Sequence, residues 1–128
     1  MQGTRLLFRT PGGGVSIPAG ANQDLTSYNA RGVSVSAYPA VRVSAVNRAS
    51  SAVNATFRIY MALGNELLGL LDRFTLMPGA TYSVSYSVPG IALRIFAEAD
   101  SGAGPATVDC AALGYAPYVC KRNTRCSI

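Results

Sequence analysis

The stretch that decides the fold runs from Val41 to Ala97: VRVSAVN (41–47), VNATFRIYM (53–61), LLDRFTLMPGATYSVSYSV (70–88) and IALRIFA (91–97). Nearly every segment alternates apolar with polar residues. Between Thr81 and Val88 the alternation is complete, with Tyr82, Val84, Tyr86 and Val88 on one side and Thr81, Ser83, Ser85 and Ser87 on the other. A period of two places one side chain in the core and the next in water, the pattern of an antiparallel strand with one buried face.

Working outward, turn signals separate further strands. Met77–Ala80 (MPGA) and Pro89–Gly90 have the Pro-Gly order that a type II turn favours. Asn47–Ala52 reads as a small polar turn, after which Val53, Ala55, Phe57, Ile59 and Met61 share one face. Leu67–Leu71, interrupted by Gly69, is too short and uncapped for a stable helix. It reads as a strand that follows a turn at Leu63–Glu66 and continues to Leu76. Downstream, Ala99–Pro105 is a loop, and Ala106, Val108, Cys110 and Ala112 form the inner face of a last strand ending near Tyr115. Upstream, Gly32–Tyr38 and Val15–Ile17 read as strands, and Asn22–Ala30 as a polar loop pinned by Leu25 and Tyr28. About eight body strands with turns every eight to twelve residues predict an all-β, two-sheet antiparallel β-sandwich. Eight strands favour a jelly roll over the seven-stranded immunoglobulin type.

The two ends read differently from this body. Thr4, Arg5, Leu6, Leu7, Phe8 and Arg9 form a short strand, followed by Thr10, Pro11 and the run Gly12, Gly13, Gly14. A strand set off by a glycine hinge is what a donated arm looks like, and also what an edge strand leading into a loop looks like. The expected organisation is an arm and hinge over 1–14, a sandwich over 15–116 and a basic, cysteine-containing tail over 117–128.

Composition bounds the function. The chain has 128 residues, enough for one domain, with 49% hydrophobic but only 13% charged residues, against roughly 25% charged in typical soluble domains. A surface built from Ser, Thr, Asn, Gly and Ala suits a protein whose faces are covered by neighbours. The net charge of +5 comes with ten Arg and one Lys. Arg42, Arg58 and Arg94 fall on outward strand positions, so the charge is spread rather than gathered into the basic patch of a nucleic-acid reader. Only Lys121, Arg122 and Arg125 cluster. Nucleic acid is not an expected partner.

No segment approaches the roughly 20 apolar residues of a membrane span. Leu6–Phe8 is too short for the apolar core of a signal peptide. The chain is therefore expected to be synthesised in the cytoplasm without a leader.

Catalytic chemistry is hard to find. There is no His, which removes the commonest general base and most metal sites. Glu98 and Asp100 are close in sequence, and read as solvated loop acids rather than a calcium or carboxylate-pair site. Gly12–Gly14 lacks the GK[ST] ending and helix of a phosphate loop. No cofactor, metal or enzymatic activity is expected.

Cys110 lies on the buried register and reads as an inert core thiol. Cys120 and Cys126 sit in the basic segment YVCKRNTRCSI, and either close a loop on themselves or bridge to neighbouring chains. Nearby cations lower a thiol's pKa and favour disulfide exchange.

The ordered run VRVSAVN, VNATFRIYM, FTLMPGATYSVSYSV, IALRIFAEA and ATVDCAALGY, from Val41 to Tyr115, resembles the spore-appendage subunits of Bacillus and its relatives. The resemblance implies a jelly roll that polymerises by strand complementation, with an N-terminal connector reaching into a neighbouring subunit. That family carries connector cysteines in the N-terminal arm, whereas Met1–Gly14 has none, so covalent locking here would use Cys120 or Cys126. The segments AVNRASSAVNATFRIYM and LMPGATYSVSYSVPG also resemble bacterial cell-adhesion-related immunoglobulin-like domains, through a strand ending in Asn, a polar turn, a strand ending near Tyr, and a Pro-Gly turn.

The expectation is a structural subunit that assembles with copies of itself into an extracellular fibre or surface layer on a cell or spore, held by an anchoring surface protein. A phage decoration or tail protein would read alike. The alternative from a different class is a binding module for carbohydrate or a protein ligand, which would need an exposed aromatic platform.

Overall fold

The computed structural model describes residues 3–28, 33–63, 66–87 and 92–116. Within these residues ten strands build two antiparallel sheets: β1 (Gly3–Arg9), β2 (Val15–Ile17), β3 (Asn22–Asp24), β4 (Val33–Ser34), β5 (Ala40–Asn47), β6 (Ala55–Leu63), β7 (Glu66–Leu76), β8 (Thr81–Ser87), β9 (Ala92–Ala99) and β10 (Ala106–Ala116). One sheet has the order β1-β10-β5-β8 with β2 also on β10, and the other β3-β9-β6-β7 with β4 also on β9. Ten strands thus occupy eight lanes. β1 and β2 share one edge of β10, pairing with Arg5↔Gly114 and Thr107↔Ser16 respectively. β3 and β4 likewise share one edge of β9. The chain passes back and forth between the sheets as in a jelly roll, and the fold is the β-sandwich that the alternation predicts.

The core lies between the two sheets. Val41, Val43 and Ala45 of β5, with Val108 of the adjacent β10, face Phe57 and Ile59 of β6 and Leu93, Ile95 and Ala97 of β9, all essentially solvent-free. The alternate positions point out. Arg58 pairs with Glu98 at 2.8 Å and Arg94 with Asp24 on the outer face of the second sheet. Arg42 donates to Ser85 Oγ at 3.2 Å on the first. The Met77–Ala80 turn has its Ala80 N–H on the Met77 carbonyl at 2.9 Å and Gly79 at φ +86°, as a type II turn requires. Asn47 joins the sheets at this end: its buried Nδ2 donates to the carbonyls of Val53 (3.1 Å) and Leu76 (3.0 Å).

Two local expectations need correction. Asn22–Ala30 is not all loop, because Asn22–Asp24 pairs with Glu98–Phe96 and Leu25–Tyr28 forms a 3-10 turn. Asp24 Oδ1 accepts from Thr26 N (2.9 Å), closing the chain over the buried Leu25. Gly32–Tyr38 contributes only Val33–Ser34 as strand, since Tyr38 N–H turns back onto the Val35 carbonyl at 3.0 Å. Met61 keeps the register of Ile59, opposite the buried Leu93 of β9, but is only half-buried; the β6–β7 ladder is irregular on either side of it, where Leu71 and Leu68 of β7 are left without a partner. The Pro89–Gly90 turn lies outside the described residues. Among those described, no helix is long and apolar enough to cross a membrane.

Candidate functional site

Among the described residues no three His, Cys, Asp or Glu side chains converge as metal ligands. Glu98 is engaged by Arg58 and Asp100 is exposed, so the two do not form a carboxylate pair. The outward aromatics Tyr60 and Phe96 meet edge to face, at 5.6 Å and 89°. They do not present the coplanar platform on which a sugar ring stacks. What the molecule offers instead is edges, the places where a sheet can accept another strand.

The first edge is the split lane of β1 and β2. Thr4–Arg9 pairs along Tyr115–Ala111 of β10 in its own chain, with an irregularity at Leu7 between Leu6 and Phe8. The segment expected as an arm is therefore docked in its own sheet. Phe8 is buried in the core and Leu6 is exposed; burying a Phe is worth roughly 1.5–3 kcal/mol. Between the halves, Pro11–Gly14 forms a turn with Gly14 N–H on the Pro11 carbonyl at 2.8 Å. The three hinge glycines differ. A Cβ on Gly12 or Gly13 would meet at most Arg9 Nη2 at 3.9 Å, whereas Gly14 has φ +78° and lies against Thr107, Arg48 and the Val108 carbonyl at 3.0–3.1 Å.

Cys110 lies opposite this break, buried, with its thiol pushed up to about 12 by burial. Its main chain is paired by Thr10, which in the sequence is only the residue between the arm strand and Pro11. Cys120 and Cys126 lie outside the described residues.

The second edge is β7, whose two halves differ. Near the turn, Phe74 stacks on Phe57 (5.3 Å) and meets Tyr82 of the opposite sheet at a tilt of 40° (4.3 Å), and Tyr86 OH donates to Asp72 Oδ2 at 2.8 Å. These contacts shut one side of the sandwich. Burial and the hydrogen bond to Asp72 together push the Tyr86 hydroxyl well above its ordinary pKa. The other half is open to water: Leu67, Leu68 and Leu70, with Leu63 on β6, are 45–56% exposed. Sequence reading recognised this strand but not the exposure of its leucines. The signal was ELLGLL, a run apolar at successive positions that no single buried face can absorb.

No protein-family model and no curated protein matches the chain. Among solved structures, a Bacillus endospore appendage, of a family described as disulfide-linked pili, aligns with TM-score 0.51 and 10% identity over 90% of this chain and 86% of that one. The Tobacco streak virus coat protein aligns with TM-score 0.43 and 11% identity over 98% and 95% of the two chains. At this identity the appendage likeness is one of fold.

Proposed function

We propose that the chain is a structural, non-enzymatic subunit that assembles with copies of itself by exchange of β1. The observation that carries this reading is the split edge lane. β1 supplies a buried Phe8, yet it is joined to the rest of the chain only through Thr10–Gly14. A sandwich without β1 is missing a piece of its core, and the same strand from a neighbour would complete it in the same register. In this reading Thr4–Arg9 is the donated strand and the Gly12–Gly14 loop is where the chain crosses over. The product is an extracellular fibre or surface layer on a cell or spore, with Cys120 and Cys126 as cross-links between subunits and a surface protein as anchor. The likeness to the appendage fold and the low surface charge support it.

Negative-stain electron microscopy and sedimentation velocity over a concentration series test the reading. Fibres or sheets that grow with concentration are expected, and reductant should loosen them if the tail cysteines bridge subunits. A chain that stays monomeric throughout contradicts self-assembly.

A further inference from the structure

The outer face of the first sheet carries a groove of about 360 Å³ beside β1, with Leu6, Pro11, Val46 and Ala111 in its wall. That is the liquid volume of about a dozen waters at ~30 Å³ each, which aliphatic side chains could displace. Of the two charged side chains in the wall beside β1, Asp109 is neutralised by Arg48 (2.7 and 3.0 Å), whose Nη2 also reaches the Gly12 carbonyl at 3.1 Å. Arg9 is exposed and has no carboxylate partner among the described residues. The groove is therefore apolar with one uncompensated positive charge.

The exposed leucine end of β6 and β7 has the opposite character. Leu63 is the ladder partner of Glu66, and Leu67 and Leu68 follow it in β7; Glu66 is exposed and likewise makes no ion pair among the described residues. The two features lie toward opposite ends of the sandwich. β5 ends at Asn47, opposite Val108 near the groove, and the chain crosses there to Ala55 before β6 runs back to Leu63.

We infer that the leucine end of one copy docks in the β1 groove of a second, with Glu66 against Arg9. Patch and groove are different surfaces at different ends, so the contact is heterologous. Each docked copy leaves one groove and one leucine end free, and copies add head to tail. Leu6, Arg9 and Pro11 complete the groove only when β1 is docked, so the contact follows strand insertion, whichever chain supplies the strand. This inference rests on the self-assembly reading and names a second surface for it.

Charge reversal with mutual rescue tests the pairing. Arg9 and Glu66 are exposed, so Arg9→Glu and Glu66→Arg should leave the fold intact, as circular dichroism would verify. Replacing an attraction by a repulsion should raise the concentration for half-assembly roughly fivefold or more for each single variant. The double variant, and an equimolar mixture of the two singles, should return it toward that of the natural chain. Leu67→Asp with Leu68→Asp should weaken assembly further, by roughly a hundredfold, because carboxylates would have to enter an apolar groove. If the natural chain assembles and the single reversals assemble equally well, or if the double variant shows no rescue, the docking inference is overturned while self-assembly stands. A natural chain that never assembles overturns both.

Discussion

Thr10 holds the place of a ladder residue opposite Cys110: its main-chain N–H donates to the Cys110 carbonyl at 2.9 Å, and its Oγ1 accepts from the Cys110 N–H at 3.1 Å. Both residues are buried. A side-chain oxygen thus replaces the backbone acceptor that is lost where the edge lane breaks between β1 and β2.

Thr10→Val keeps the shape and removes that oxygen, which leaves a buried N–H without a partner. The expected cost is about 1–3 kcal/mol, read as a lower urea midpoint, with faster amide exchange along Thr4–Arg9. An unchanged midpoint would show that the hydroxyl does not hold the strand.

The glycine loop should respond unevenly to alanine. Gly12→Ala and Gly13→Ala should change stability by no more than about 0.5 kcal/mol. Gly14→Ala forces a Cβ into a left-handed conformation against Thr107, Arg48 and the Val108 carbonyl, and should cost about 1–3 kcal/mol. Equal effects at all three positions in thermal melts would contradict this account of the loop.

Alkali should weaken the fold. Burial first, then the hydrogen bond to Asp72, raise the Tyr86 pKa above its ordinary 10.0, and burial raises that of Cys110 from 9.0 to about 12. The folded state therefore holds both protons more tightly than the unfolded chain. Their contribution is fully present below about pH 9, then falls as the pH rises, first through Cys110 and then through Tyr86. The slope is at most ~1.4 kcal/mol per pH unit for each group. Tyr86→Phe should lose about 1 kcal/mol at neutral pH and fall less steeply above pH 10 in denaturant titrations. A variant as alkali-sensitive as the natural chain would place the effect elsewhere.

How much of this was legible in the sequence follows from where the physics is local. Alternation in Val41–Asn47 and Ala106–Ala112 places β5 and β10 and their buried faces, because a strand with one wet face repeats every two residues whatever its partners; in Thr81–Ser87 it places β8, whose inward side is only half-buried at Val84 and Tyr86 and exposed at Tyr82. Pro78-Gly79 fixes its turn for an equally local reason. Asn22–Asp24 was illegible because three polar residues become a strand only through pairing with β9. Gly12–Gly14 reads as a hinge in the sequence, and only the register on β10 reveals Thr10–Gly14 as a break within one edge lane. ELLGLL shows that some of its leucines must stay exposed, but which of Leu67, Leu68 and Leu70 do so depends on what the opposite sheet leaves uncovered.

The central claim is exchange of β1 between subunits, and a pair of cysteines across the β1–β10 ladder tests it most directly. Leu6 and Leu113 are direct partners in that ladder, at a spacing a disulfide can bridge. In a chain carrying Leu6→Cys and Leu113→Cys, with Cys120→Ser and Cys126→Ser, the bond forms within one chain if β1 stays in its own sheet and between chains if it is exchanged. After assembly and oxidation, a non-reducing denaturing gel should show a ladder of covalent oligomers. Assembled material that yields only an internally bonded monomer band would contradict strand exchange.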